Sequence, residues 1–194
     1  MKKLISIRTP LQEQQHFIDP DYQAKLTQIT QPVIDAIKQA IQNLELAIKT
    51  LIEKDSQTKR YREIIESIPG YGPIISAKLI EVTKGFTRLT QPRKLACYAG
   101  VAPFEYSSGT SVRGKTRVSH IANKDLKKMF HLAALVTIRK NGIMYDYYQR
   151  KVAQGKPKMA VINAVRNKLI HIMLACIKND TIYQKNYQSN LVRT

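Results

Sequence analysis

Four hydroxyls cluster at Ser107, Ser108, Thr110 and Ser111, with Gly109 among them and Arg113, Lys115 and Arg117 just downstream. Such a set can do two kinds of chemistry. Hydroxyls, backbone amides and guanidinium groups position and neutralise phosphate. A serine can also act as a nucleophile, provided that something activates it. His120 is the nearest imidazole in sequence, and there is neither a G-x-S-x-G elbow nor a recognisable Ser-His-Asp set. On the residues alone both readings stay open, phosphate contact being the simpler and catalysis the bolder.

The same stretch, Gly109-Thr-Ser-Val-Arg-Gly114-Lys115-Thr116, matches the nucleotide-binding pattern G-x-x-x-x-G-K-[ST] letter for letter. That pattern works only where a buried strand feeds the first glycine and a helix begins at the Lys-Thr. Here the feeding segment, APFEYSS, contains Pro103 and Glu105, and no helical stripe follows until Lys124. None of Asp125, Asp146 and Asp180 ends an apolar strand, as a second nucleotide motif requires. ATP binding is therefore the remote reading.

A second candidate for phosphate lies at Pro69-Gly70-Tyr71-Gly72, between apolar segments at Tyr61–Ile68 and Ile74–Val82. The layout resembles a helix-hairpin-helix over residues 61–84. Gly70 and Gly72 permit a tight turn, and free N–H groups at the following helix start attract anions. The competing reading is a plain helix–helix turn closed by glycine and proline.

Charge sets the context for both. The chain has 194 residues with 32 Lys and Arg against 14 Asp and Glu, a net charge of +18. Residues 1–100 hold fifteen cations and ten acids, whereas residues 101–194 hold seventeen cations and only four acids. A domain so basic points to a polyanion, nucleic acid first, ahead of a merely solvated or ribosome-associated basic surface. Charge alone does not separate DNA from RNA. No run of 18 apolar residues suggests a membrane span, and the basic start MKKLISIRTP lacks the apolar core of a secretory signal. A cytoplasmic, nucleoid-associated protein is the expectation. Cys97 and Cys176 sit in apolar segments and read as buried free thiols rather than a disulfide.

The elements that must position these groups are helical, and the expected fold is all-α. Residues 1–19 read as weakly structured. Residues 22–54 read as one long helix, with Pro32 a kink or break. Ile34, Ile37, Ile41, Leu44, Ile48 and Leu51 form a seam spaced by three and four. β-Branched residues at one seam position and mostly leucine at the other favour a parallel two-stranded coiled coil. The seam is short, and packing within the chain is the alternative to a homodimer or higher oligomer.

A compact helical domain follows over 57–180, after an N-terminal segment of 1–56 and before a polar tail of 181–194. It contains a short helix over 91–99, helices over 124–140 and 157–178, another starting at Gly142, and a long loop over 100–123. Loops of that length are usually functional or disordered. On the helix from Lys124, Leu126, Met129, Phe130, Ala133, Ala134 and Val136 or Thr137 make an apolar face. On the last helix the inward set is Val161, Ala164, Val165, Leu169, Ile172, Met173 and Cys176.

The order of these motifs, SIPGYGPIISAKLI, then RKLACYAGVAPFEYSSGTSVRGKTRVSH, then LKKMFHLAA, resembles the C-terminal half of transposases of the insertion sequence 110 family, which includes the pilin-gene inverting recombinases. The similarity covers about residues 60 to 178, and the preceding coil fits the family's coiled-coil segment. The resemblance implies that Ser108 is a nucleophile that attacks a DNA phosphodiester and forms a phosphoserine link. Ser107, Gly109, Arg113, Lys115 and Arg117, with Gly70 and Gly72, are then the candidate contacts to the nucleic-acid backbone. Where the family usually has S-K-x-G after the loop, this chain has Ser119-His120-Ile121-Ala122.

Family members also carry an N-terminal RuvC-like domain whose four carboxylates bind divalent metal. No such cluster is legible in this sequence. The expectation is a truncated or split form, with no cofactor of its own and Mg2+ entering only with a RuvC-like domain in trans. DNA is the expected partner, and a guide RNA is a possible second ligand in such a family. The alternative is a non-catalytic basic module that only grips nucleic acid.

Overall fold

The computed structural model describes residues 1–14, 20–102, 107–108, 112–113, 122–139 and 142–185. The chain divides into two units, Met1–Asp55 and Ser56–Thr194.

In the first unit, helix α1 (Lys2–Gln14) lies against helix α2 (Pro20–Lys54). The expectation of a weakly structured start is thus corrected over residues 2–14. Pro10 stands inside α1 and offers no helical signal; the packing partner, α2, supplies what local propensity lacks. Pro20 opens α2, where its missing N–H is no loss. Helix α2 runs on through Pro32 without a break. The two halves of its apolar seam differ. Ile34 and Ile41 are buried, whereas Leu44, Ile48 and Leu51 are 42%, 38% and 65% exposed.

In the second unit, α3 (Ser56–Glu66) and α4 (Pro73–Thr83) form a helical hairpin, followed by α5 (Pro92–Tyr98). Pro73 and Pro92 each occupy the first turn of their helix. A two-residue antiparallel pairing comes next, β1 (Ser107–Ser108) with β2 (Val112–Arg113). Then come α6 (Lys124–Arg139), α7 (Ile143–Ala153) and α8 (Lys158–Lys178). The architecture is all-α apart from that short pairing.

Helix α8 is the axis of this unit, touching α3, α5, α6 and α7. Elements on several sides explain why its buried set is wider than one stripe. Val161, Val165, Leu169 and Met173 are buried, as the periodicity predicts. So are Ile162, Arg166, Ile170 and Leu174, a row at four-residue spacing that the single-face reading misses. By length and hydropathy α8 passes as a membrane span, but 44% of the most apolar window is buried within the protein. Its role here is that of a core helix. On α6 the inward residues are Leu126, Phe130, Ala133, Ala134 and Thr137, with Val136 turned outward at 40% exposure.

The chain after α8 is not free at once. Tyr183 packs partly buried on the core, and its N–H donates to Ser67 Oγ at 2.9 Å. Arg60 holds Asp180 twice, from Nε to the carboxylate at 2.8 Å and from Nη2 to the carbonyl at 2.9 Å. The predicted polar tail therefore begins later than residue 181. Cys97 and Cys176 are free thiols, half-buried rather than buried.

Candidate nucleic-acid interface

The turn between α3 and α4 is built by packing. Tyr71 is buried, its ring 6.0 Å from that of Phe130 on α6. Its N–H donates to the Ile68 carbonyl at 3.0 Å, which closes the turn. Thr137 Oγ1 of α6 donates to the Pro69 carbonyl at 3.3 Å. Gly70 has φ of +88°, and a Cβ there would lie 2.5 Å from the Ala133 carbonyl oxygen and 3.0 Å from Thr137 Oγ1. Glycine is therefore demanded twice at this position, by the left-handed backbone and by the approach of α6.

Gly72 is different. It caps α4 in an extended conformation, and a Cβ on it would meet nothing within 4 Å. Behind it, Glu66 ties the two helices together, accepting from Arg62 Nε at 2.7 Å and from Ser76 Oγ at 2.8 Å.

The segment bearing Ser107 and Ser108 leaves and re-enters the core at neighbouring points of α5. On the way out, Val101 N and Ala102 N both donate to the Ala96 carbonyl, at 2.8 and 3.2 Å. The Val101 carbonyl accepts from Asn163 Nδ2 of α8 at 2.9 Å. On the way back, Asn123 N donates to the Tyr98 carbonyl at 2.8 Å. Asn123 also starts α6, its Oδ1 accepting from the Leu126 N–H at 3.0 Å, an N-cap of the usual kind. Between these anchors the backbone pairing sets Ser107 opposite Arg113 and Ser108 opposite Val112.

The structure thus brings Ser107, Ser108 and Arg113 into one small antiparallel element, while Gly70 and Gly72 belong to the separate turn. Gly109, Lys115 and Arg117 lie outside the described residues, as do Thr110, Ser111, Ser119 and His120. The nucleotide-loop pattern gains no support. The element before it is a two-residue antiparallel strand rather than a buried parallel one, and the next described helix starts at Lys124.

Sequence reading missed a polar group under the start of this segment. Arg166 of α8 is only 6% exposed. Its Nη2 donates to His131 Nδ1 of α6 at 2.6 Å, and its Nη1 to Asn163 Oδ1 at 3.3 Å. Nε finds no partner among the described residues. Because a guanidinium can only donate, His131 must accept on Nδ1, and its imidazole is neutral with the proton on Nε2. Burial and the Arg166 charge both hold the His131 pKa below the usual imidazole value. Burial likewise lowers that of Arg166. One signal was available: an arginine in the apolar row Ile162, Arg166, Ile170, Leu174.

Aromatic and cationic groups meet at the outer side of α7 and α8. Lys168 Nζ lies 4.7 Å from the centre of the Tyr147 ring, and the Arg150 guanidinium 5.9 Å from it. Such contacts hold the two long cations against the ring. Among the described residues no three of His, Cys, Asp and Glu come together as a metal site would need.

Residues 62–149 match the sequence model of the transposase IS116/IS110/IS902 family. The chain is similar to the insertion element IS900 uncharacterized 42 kDa protein of Mycobacterium paratuberculosis, 28% identical over 173 residues, which cover 87% of this chain and 42% of that protein. It is 27% identical over 151 residues to the insertion element IS110 uncharacterized 43.6 kDa protein of Streptomyces coelicolor, covering 78% and 36% of the two chains. It is 26% identical over 147 residues to the pilin gene-inverting protein of Moraxella lacunata, covering 75% and 46%. The chain therefore spans less than half the length of each of these relatives.

Proposed function

We propose, from the match of residues 62–149 to the transposase IS116/IS110/IS902 family, that this chain is the serine-bearing, DNA-binding part of an insertion-sequence transposase or recombinase, with Ser108 as the nucleophile. The observation that carries the reading is the anchoring of the loop. Ser108 stands in a paired strand on a segment whose ends are fastened to α5 at Ala96 and Tyr98, and that segment falls within the family match. A nucleophile needs such a fixed approach.

The chemistry is a transesterification. Ser108 Oγ gives up its proton and forms a bond to phosphorus, and the phosphorus–oxygen bond to the departing strand breaks. That oxygen takes up a proton, and a free strand hydroxyl later reverses the exchange and restores the serine. No oxidant or reductant is needed. Arg113, Lys115 and Arg117, with Ser107 and the Gly109 amide, hold the flanking backbone. Gly72 opens the N-terminus of α4 to a second backbone contact, with Gly70 beside it in the same turn.

Divalent metal would stabilise charge on such a phosphate. The described residues of this chain do not fit a metal site. A RuvC-like domain outside residues 1–194 would bring the carboxylates and the Mg2+. The open half of the α2 seam, Leu44, Ile48 and Leu51, would join a second copy of the chain. A guide RNA would compete with DNA for the same cations, and the setting is the nucleoid.

The test mixes the chain with a matching RuvC-like domain, Mg2+ and element-end DNA. A protein–DNA adduct that survives denaturant is expected from the parent and not from Ser108→Ala. Equal adduct from both proteins removes the nucleophile. DNA binding that persists with no adduct in any mixture supports the non-catalytic module instead.

A further inference from the structure

We propose that Arg166 is a positioning residue for the Ser108 loop, acting through Asn163 on the carbonyl of Val101 where the loop leaves α5. The word nucleophile for Ser108 rests on the function proposed above; the linkage Arg166–Asn163–Val101 does not.

As a core filler Arg166 is a poor choice. Burying a guanidinium is expensive unless it is paired, and an apolar side chain of similar volume is often as stable or more so. Here the guanidinium is 6% exposed and meets neutral partners, the His131 ring and the Asn163 amide, while Nε stays unpaired among the described residues. What it does that methionine cannot is to orient that amide. A side-chain amide has two faces of opposite polarity. With Oδ1 of Asn163 accepting from Arg166, Nδ2 is turned to the Val101 carbonyl at 2.9 Å. Without the guanidinium the amide can reverse, and two oxygens would then face each other.

The Val101 carbonyl is a sensitive place to hold. Val101 is fully buried, and its N–H and that of Ala102 are committed to Ala96. Asn163 secures the remaining polar group of Val101, so the backbone direction at the loop entry is set. The loop exit at Asn123 is held by Tyr98 instead and does not involve Arg166. His131 completes the device from α6 by accepting from the far side of the guanidinium.

The experiment is a double-mutant cycle on the full chain, using Arg166→Met, Asn163→Ala and the pair, read by amide hydrogen exchange. Losing one intramolecular hydrogen bond changes a local opening equilibrium by about fivefold. Each single variant should speed exchange at Val101 and Ala102 by about that factor, and the double variant by no more than either single. Amides at Ile170 and Asn123 should keep their parental rates. Additive effects, an Arg166→Met variant with parental exchange at Val101, or equal acceleration at Ile170 would each overturn the proposal.

A second arm measures adduct formation with the RuvC-like domain, Mg2+ and element-end DNA. Arg166→Met should slow the adduct about fivefold at saturating DNA with unchanged DNA affinity. An unchanged rate at saturation refutes positioning of the nucleophile. If the parent forms no Ser108-dependent adduct while the exchange results hold, the nucleophile fails and the linkage to the loop stands.

Discussion

The turn at residues 69–72 and the loop between Val101 and Asn123 both invite a phosphate by their residue types, yet the protein treats them differently. The turn is held against α6 at three successive residues. Pro69 accepts from Thr137, Gly70 faces the α6 backbone, and Tyr71 is buried against Phe130. The loop, among the described residues, is fastened at its ends, to Ala96, Asn163 and Tyr98. Gly70 is a consequence of helix packing, whereas Gly72 of the same turn faces open space. The two glycines of one signature thus have different origins, and only the neighbouring helix tells them apart.

The largest effect that bears on this contrast is expected at Gly70. Gly70→Ala adds a Cβ against the Ala133 carbonyl at a left-handed φ. It should cost about 2–4 kcal/mol in urea unfolding, combining backbone strain with overpacking. A loss close to zero would mean that α6 does not press on the turn.

Next comes the loop exit. Asn123→Ala removes the cap of α6 and should cost about 1 kcal/mol. Asn123→Asp, which keeps the accepting oxygen, should recover most of it. If both variants are equally destabilised, the cap contributes little and the exit is held by the backbone bond to Tyr98 alone.

The Arg166–His131 contact makes the loop entry sensitive to acid. The imidazole pKa lies below its usual value of 6.5 in the fold, so the unfolded chain binds the proton more readily. The stability this provides is present above the unfolded value and is lost as pH falls through the lower folded value. His131→Asn keeps an acceptor for Arg166 but cannot titrate. Between pH 7.5 and 5, the thermal midpoint of the parent should fall more than that of His131→Asn. Parallel curves would contradict the neutral, accepting imidazole.

The smallest effect is the control. Gly72→Ala meets open space at an ordinary backbone angle and should shift stability by less than about 0.5 kcal/mol. Weaker DNA binding by this folded variant supports the backbone contact proposed at the turn, and parental binding contradicts it.

Much of the helical order was legible because period and punctuation agree. Pro73, Pro92 and Pro157 mark helix starts, and the stripe Leu126, Phe130, Ala133 and Ala134 is the buried face of α6. Helix α1 was not legible, since Pro10 and its polar neighbours are held by contact with α2 rather than by propensity. The half of the α2 seam at Ile34 and Ile41 is already covered within the chain, a fact that spacing alone could not reveal. At the candidate site, the serines and cations stood out by type, and Ser108 among them only through the resemblance. Asn163 lies 62 residues from Val101 and Arg166 lies 35 from His131, although Asn163 and Arg166 are three apart on one helix. The distant pairs carry no local signal, so beyond the arginine in an apolar row the device under the loop entry became visible only in three dimensions.

The central claim is that one serine of four adjacent hydroxyls takes the DNA strand. Proteolysis of the denaturant-resistant adduct, followed by mass mapping of the peptide carrying the nucleotide remnant, reads this directly. The account predicts the remnant on Ser108. A remnant on Ser107, Thr110 or Ser111, or an adduct outside the loop, would contradict it.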